Sequence, residues 1–200
     1  DESFEKYNIE DGNFELAAEA DDTLIETLEK EDVTIYQNFY VEVETKEVDS
    51  TLRIFKKRTQ VDLECLMEGE FPQKEDEIAI DRMYADNNDL AVGDRLTVGG
   101  KELEITGFVA LSYYSALFSN AQDMMFDAMK FGVAVVTEEG MDDFGTDKLH
   151  YSYSWLYEKA PADDTEAKEM GEDFLKVLSG KAIVTNFLPQ YRNQAIHFTG

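Results

Sequence analysis

Gly69-Glu70-Phe71-Pro72-Gln73-Lys74-Glu75-Asp76-Glu77-Ile78-Ala79-Ile80-Asp81, and then Leu90-Ala91-Val92-Gly93-Asp94-Arg95-Leu96-Thr97-Val98-Gly99-Gly100-Lys101-Glu102-Leu103-Glu104-Ile105-Thr106-Gly107-Phe108-Val109, are the two runs on which the fold turns. Gly69 and Pro72 punctuate a turn, and residues 77–80 form a short apolar strand behind it. Asp81 is placed to cap a short helix running to about Asn88. Gly93-Asp94 marks a second turn feeding a strand. Gly99-Gly100 reads as a two-residue hairpin loop, because glycine tolerates the positive φ that such loops require. Residues 101–109 are the returning strand, with Leu103, Ile105 and Gly107 on one face. This section predicts a small, mostly β lobe.

Working outward, the flanks change character. Residues 13–16 alternate as a first strand, and Asp21-Asp22 open a helix over 22–30 whose stripe is Leu24, Ile25 and Leu28. Residues 34–45 predict one long strand, followed by strands at 51–55 and 61–67. On the other flank, 120–129 reads as a Met-rich helix, 132–137 as a buried strand and 138–144 as a short acidic helix. A strand at 151–157 precedes the clearest helix of all. Asp163 and Asp164 open it, Ala167, Met170, Phe174, Leu175 and Leu178 line it, and Gly180 ends it. A last strand covers 181–187. Strand–helix–strand units at both ends around a β lobe predict an α+β chain of two lobes. The expected boundaries are 1–60 for the first part of the α+β lobe, 61–112 for the β-rich lobe, and 113–200 for the remainder of the α+β lobe.

Composition limits the partners. Among 200 residues, 44 are acidic and 18 basic, a net charge of −26, while 43% are hydrophobic and 12% aromatic. So apolar a chain is not intrinsically disordered. So acidic a chain is excluded from binding nucleic acid or anionic lipid unless the fold conceals a basic patch. Residues 1–100 hold 28 of the acidic side chains and 10 of the basic ones, so the excess sits before and within the β lobe. No run is long and apolar enough to span a membrane, and Asp1-Glu2-Ser3 is the reverse of a cationic signal sequence. A start without Met reads as a piece of a longer protein.

Chemical motifs are sparse. The single Cys65 rules out an intramolecular disulfide, and its place in an alternating run predicts a small buried side chain. Only His150 and His197 are available to activate a nucleophile. Asp86-Asn87-Asn88-Asp89 and Glu138-Glu139-Gly140-Met141-Asp142-Asp143 lack the alternate-residue spacing of a calcium loop and read as solvated faces or turns. Gly99-Gly100 lacks the helix and the Lys-Ser/Thr of a phosphate loop. Met124, Met125, Phe126 and Met129 read as helix core ahead of an adaptable contact surface. Lys56-Lys57-Arg58 reads as a solvated turn between strands. No catalytic, cofactor-binding or metal-binding residue is assigned, and the substrate-binding residues are left open.

The order Gly69-x-x-Pro72, Glu77-Ile78-Ala79-Ile80-Asp81, Leu90-x-Val92-Gly93-Asp94-x-Leu96-x-Val98-Gly99-Gly100-Lys101-x-Leu103-x-Ile105-x-Gly107-Phe108-Val109 resembles the extracytoplasmic domain of MacB/FtsX-like ABC transporter permeases. About forty residues match closely, and the rest matches by layout. The acidic flanks and the 120–129 segment depart from the family pattern. The resemblance implies a domain inserted between the first two transmembrane helices, facing the extracytoplasmic side of the cell membrane, with split βαβ elements around a β lobe. It also implies that the domain is no enzyme and holds no cofactor. ATP is bound by a separate ABC ATPase subunit, and the domain contacts a peptide, a lipid-linked substrate, a partner protein or a second permease copy. Two other functions stay open: a free-standing secreted or surface binding module, and a hydrolase with an acidic cleft. The permease reading expects the two chain ends to lie close together.

Overall fold

The computed structural model describes residues 9–59, 63–110 and 130–190. Among them eleven strands and four helices are distributed between two units of α+β character. One unit is built from the described parts of Glu10–Asn38 and His150–Gly200, the other from those of Asp1–Ile9 and Phe39–Leu149.

The discontinuous unit holds a four-stranded sheet in the order β11-β1-β10-β2, where β1 is Gly12–Leu16, β2 Val33–Gln37, β10 Tyr151–Tyr157 and β11 Val184–Pro189. Every neighbouring pair is antiparallel. Helix α1 (Asp22–Glu29) joins β1 to β2 across β10, and helix α4 (Asp164–Ser179) joins β10 to β11 across β1. Two split βαβ units are thus interleaved, the ferredoxin-like arrangement. Its core is aromatic. Phe174 of α4 lies 4.8 Å from Trp155 and 5.9 Å from Phe14, and Phe187 of β11 stacks on Trp155 at 5.1 Å. The helix starts follow from the sequence. Asp21 accepts the Leu24 amide at 2.8 Å, and Asp163 accepts that of Glu166 at 2.8 Å, each satisfying one of the donors a helix N-terminus leaves open.

The other unit, the β unit, holds a seven-stranded mixed sheet in the order β5-β8-β6-β9-β4-β3-β7. Its members are β3 (Tyr40–Thr45), β4 (Ser50–Lys56), β5 (Cys65–Gly69), β6 (Glu77–Asp81), β7 (Arg95–Val98), β8 (Lys101–Ala110) and β9 (Phe131–Val136). Strand β7 pairs with the first half of β8 as well as with β3, so six strands close into a ring with β5 attached outside it on β8. The closure turns on Gly99-Gly100, at φ 58° and 82°, which carries the tight β7–β8 hairpin. Val41, Val43, Leu52, Ile54, Ile78, Ile80, Leu96, Val98, Leu103 and Ile105 fill the interior. Tyr84 and Ala85 of helix α2 (Arg82–Asn87) and Met141 of helix α3 (Glu138–Asp142) pack against them.

Two sequence expectations are corrected here. The long strand at 34–45 is two strands, interrupted at Asn38 and Phe39, because the chain leaves one unit there and joins the other. The units also divide at 9/10, 38/39 and 149/150, where the sequence placed boundaries at 60/61 and 112/113. The cause is pairing: β4 runs parallel to β9 over six residue pairs, which draws 40–56 and 131–136 into the β unit. The expected helix at 120–129 lies outside the described residues.

Candidate functional site

Two clusters of polar and charged side chains stand out, one in each unit. In the discontinuous unit, strand β10 anchors the segments that bring the chain in and out. Asp11 N–H donates to Trp155 O at 2.8 Å, and Asp11 Oδ2 accepts from Tyr157 N–H at 2.8 Å. At the far end of the sequence, Gln190 N–H donates to Asp11 O at 2.7 Å, so the first and last described strands of this unit start and finish side by side. The fully buried Glu10 accepts from Ser154 Oγ at 2.7 Å and from Asn13 Nδ2 at 3.0 Å. Asn38, where the chain departs for the other unit, donates from Nδ2 to the same Ser154 Oγ at 3.2 Å and from its backbone to Ser152 O at 2.9 Å. A carboxylate so buried survives on such donors, since an unmatched one is strongly disfavoured. Ser154 therefore ties the incoming segment and the departing one to a single strand.

In the β unit, one sheet face carries cations on aromatic rings. The Arg53 guanidinium lies 4.3 Å from the Tyr40 ring centre and 5.4 Å from that of Phe131. Lys57 Nζ sits 4.4 Å over Phe71, and the Arg58 guanidinium 4.1 Å over Phe55. Each is within the range where a ring quadrupole attracts a cation. Carboxylates accompany them: Glu42 is 3.4 Å from Arg53, and Glu64 is 3.9 Å from Lys57 and 4.0 Å from Arg58. Burial raises the Glu64 pKa despite the opposing pull of Arg58 and Lys57. This overturns the expectation that Lys56-Lys57-Arg58 is a solvated turn, because Arg58 is buried. The sequence conceals the cluster: Glu64 is one of 44 acidic residues, and only folding sets Phe55 and Phe71 beneath the cations.

The other residues singled out from the sequence are scattered. Cys65 opens β5 and is half-buried, not enclosed, because β5 hangs outside the ring. His150 Nδ1 lies 3.2 Å from Glu15 Oε2, with no Ser or Cys in that contact. Asp86-Asn87-Asn88-Asp89 forms the end of α2 and the turn behind it, where Asn88 Nδ2 donates to Tyr84 O at 3.0 Å. Glu138–Asp142 is the short helix expected there, and its N-cap is Thr137. Among the described residues no three His, Cys, Asp or Glu side chains converge in a way that suits a metal. His197 and the Met124–Met129 stretch fall outside the described residues. Chemically, both clusters are built to hold backbone segments and balance charge.

No protein-family model matches the chain, and no curated protein matches it. Solved structures do. The chain is similar to the extracellular domain of the noncanonic ABC-type transporter YknZ from Gram-positive bacteria, with 13% identity, a TM-score of 0.46, and coverage of 88% of this chain and 98% of that one. It is also similar to the periplasmic region of MacB from Actinobacillus actinomycetemcomitans, with 11% identity, a TM-score of 0.46, and coverage of 100% and 97%.

Proposed function

We propose that this chain is the extracytoplasmic domain of a MacB/FtsX-like ABC transporter permease. In this role it is non-catalytic and couples contact with a substrate or partner to ATP-driven movement of transmembrane helices. One observation supports this above the rest: Asp11, just ahead of β1, and Gln190, just past β11, are joined by a backbone hydrogen bond of 2.7 Å. Antiparallel pairing of β1 with β11, Gly12 opposite Pro189, sets the start of β1 beside the end of β11. A domain inserted between two consecutive membrane helices needs that geometry. It also makes β1 and β11 a pair of levers, since displacement of one helix against the other would shear the hydrogen bonds between them. Residues 1 and 200 themselves lie outside the described residues.

The net charge of −26 supports a preference for cationic peptides among ligands and keeps the domain off an anionic membrane surface. A second permease copy and an ABC ATPase subunit belong to the same proposal. The test is made on the full-length gene product. Apolar runs of about 20 residues are expected on both sides of the segment. With any other cysteines replaced, Cys65 should react with a membrane-impermeant maleimide on intact cells. Reaction only after the membrane is opened, or flanks without apolar runs, would sink the proposal.

A further inference from the structure

Among the described residues, strand β5 is the edge of the β unit that the ring leaves open. It pairs with β8, Cys65 opposite Ala110 through Gly69 opposite Gly107, and stands at the end of the sheet order. Beyond its end, Glu70 keeps to the same side, its N–H donating to Thr106 O at 2.9 Å and its carbonyl accepting from Thr106 Oγ1 at 3.0 Å. Five large hydrophobic side chains stand exposed among the described residues, and two are neighbours on this strand: Leu66 at 37% and Met67 at 46%. An open row of backbone donors and acceptors beside exposed apolar side chains is a template for an added strand.

The charge around it selects the occupant. Residues 63–77 hold six acidic side chains against the single Lys74, and Glu68 and Glu70 are exposed on the strand and just past it. A second copy of β5 laid against this edge would set those carboxylates against their own kind, which cross-strand pairing penalises. We propose that the open edge of β5 receives an extended basic segment of a polypeptide as an additional strand, its alternate cationic side chains meeting Glu68 and Glu70 and its apolar ones meeting Leu66 and Met67. The preference for basic ligands stated above thereby acquires a place, whether or not the domain belongs to a permease.

An alternating lysine–valine heptapeptide carrying a fluorophore is the probe, titrated into the chain and followed by anisotropy. It should bind, and backbone amides at 66–69 should gain protection from hydrogen exchange. The same peptide N-methylated on alternate residues keeps its charge but loses one row of donors, so its affinity should fall about tenfold or more. The double variant Glu68→Lys/Glu70→Lys, both positions exposed, should weaken the unmodified peptide by a similar factor. Equal binding of the N-methylated peptide would overturn strand addition in favour of diffuse charge attraction. Protection appearing elsewhere, an unaffected double variant, or no binding at all would overturn the site. None of these results bears on the flanking segments and topology that decide the permease assignment.

Discussion

Gly12→Ala is the sharpest test of the aromatic core that carries β1. Gly12 sits opposite Trp155 in the β1–β10 register. A Cβ placed there would lie 2.8 Å from Trp155 Cζ3 and nearer still to Cζ2 and Cη2, where relaxed carbon contacts are about 3.5–4.0 Å. The indole has nowhere to retreat. It is fully buried, stacked on Phe187 at 5.1 Å and held by Phe174 at 4.8 Å and Phe14 at 6.1 Å. Relief of about 1 Å must therefore come from off-rotamer side chains or from β1 itself, at about 3 kcal/mol, the upper part of the range for overpacked cores. That is roughly a hundredfold in the folding equilibrium, against about 5–15 kcal/mol for a whole domain. Trp155 is the only tryptophan, so its emission in a urea titration reports this unit directly. In Gly12→Ala the midpoint should fall and the emission should shift as the indole is displaced. Trp155→Phe removes the ring atoms that clash. The double variant, followed by circular dichroism, should accordingly be less destabilised than the two single changes added together, with a coupling of about 1–3 kcal/mol. A Gly12→Ala protein within about 0.5 kcal/mol of wild type, or strict additivity, would refute the packing argument.

Three further outcomes are expected. Burial raises the Glu64 pKa above its unfolded value, so its contribution to stability is present at low pH and is lost as pH rises through the folded value. The stability of Glu64→Gln relative to wild type should consequently grow as the pH is raised above the ordinary carboxylate range in urea melts, and a gap that shrinks would show that Lys57 and Arg58 outweigh burial. Ser154→Ala takes a donor from buried Glu10 and an acceptor from Asn38, and should cost about 1–3 kcal/mol by Trp155 fluorescence; an unchanged midpoint would mean that Ser154 anchors neither segment. Arg95→Ala breaks only the exposed pair with Glu102, at 3.1 Å, and should change stability by about 0.5 kcal/mol or less in thermal melts.

Local chemistry was legible where the signal sits on one residue. Asp21, Asp81 and Asp163 cap helices because an aspartate oxygen reaches the free amides two or three residues ahead, and no distant contact is needed for that. Gly93 and Gly99-Gly100 adopt positive φ for an equally local reason. The 34–45 run failed as a single strand because alternation continues smoothly through Asn38, whose role depends on Ser154 more than a hundred residues away. Cys65 and Lys56-Lys57-Arg58 were misjudged alike. Whether a half-apolar strand ends up inside or outside a ring, and whether a cation finds a ring beneath it, depends on what pairs with its neighbours.

By itself, the sequence determined the α+β class, the helix caps, the turns of the β lobe and the net acidity, since all of these follow from short-range sterics, periodicity and summed charge. The tertiary structure alone decided three other things. The parallel pairing of β4 with β9 moved the boundary between the units. The bond from Gln190 to Asp11 set the start of β1 beside the end of β11. Among the described residues, the closure of six strands left β5 outside the ring, at the end of the strand order. Each depends on hydrogen bonds between residues far apart in the chain, and backbone groups carry no side-chain signature of the partner they will choose.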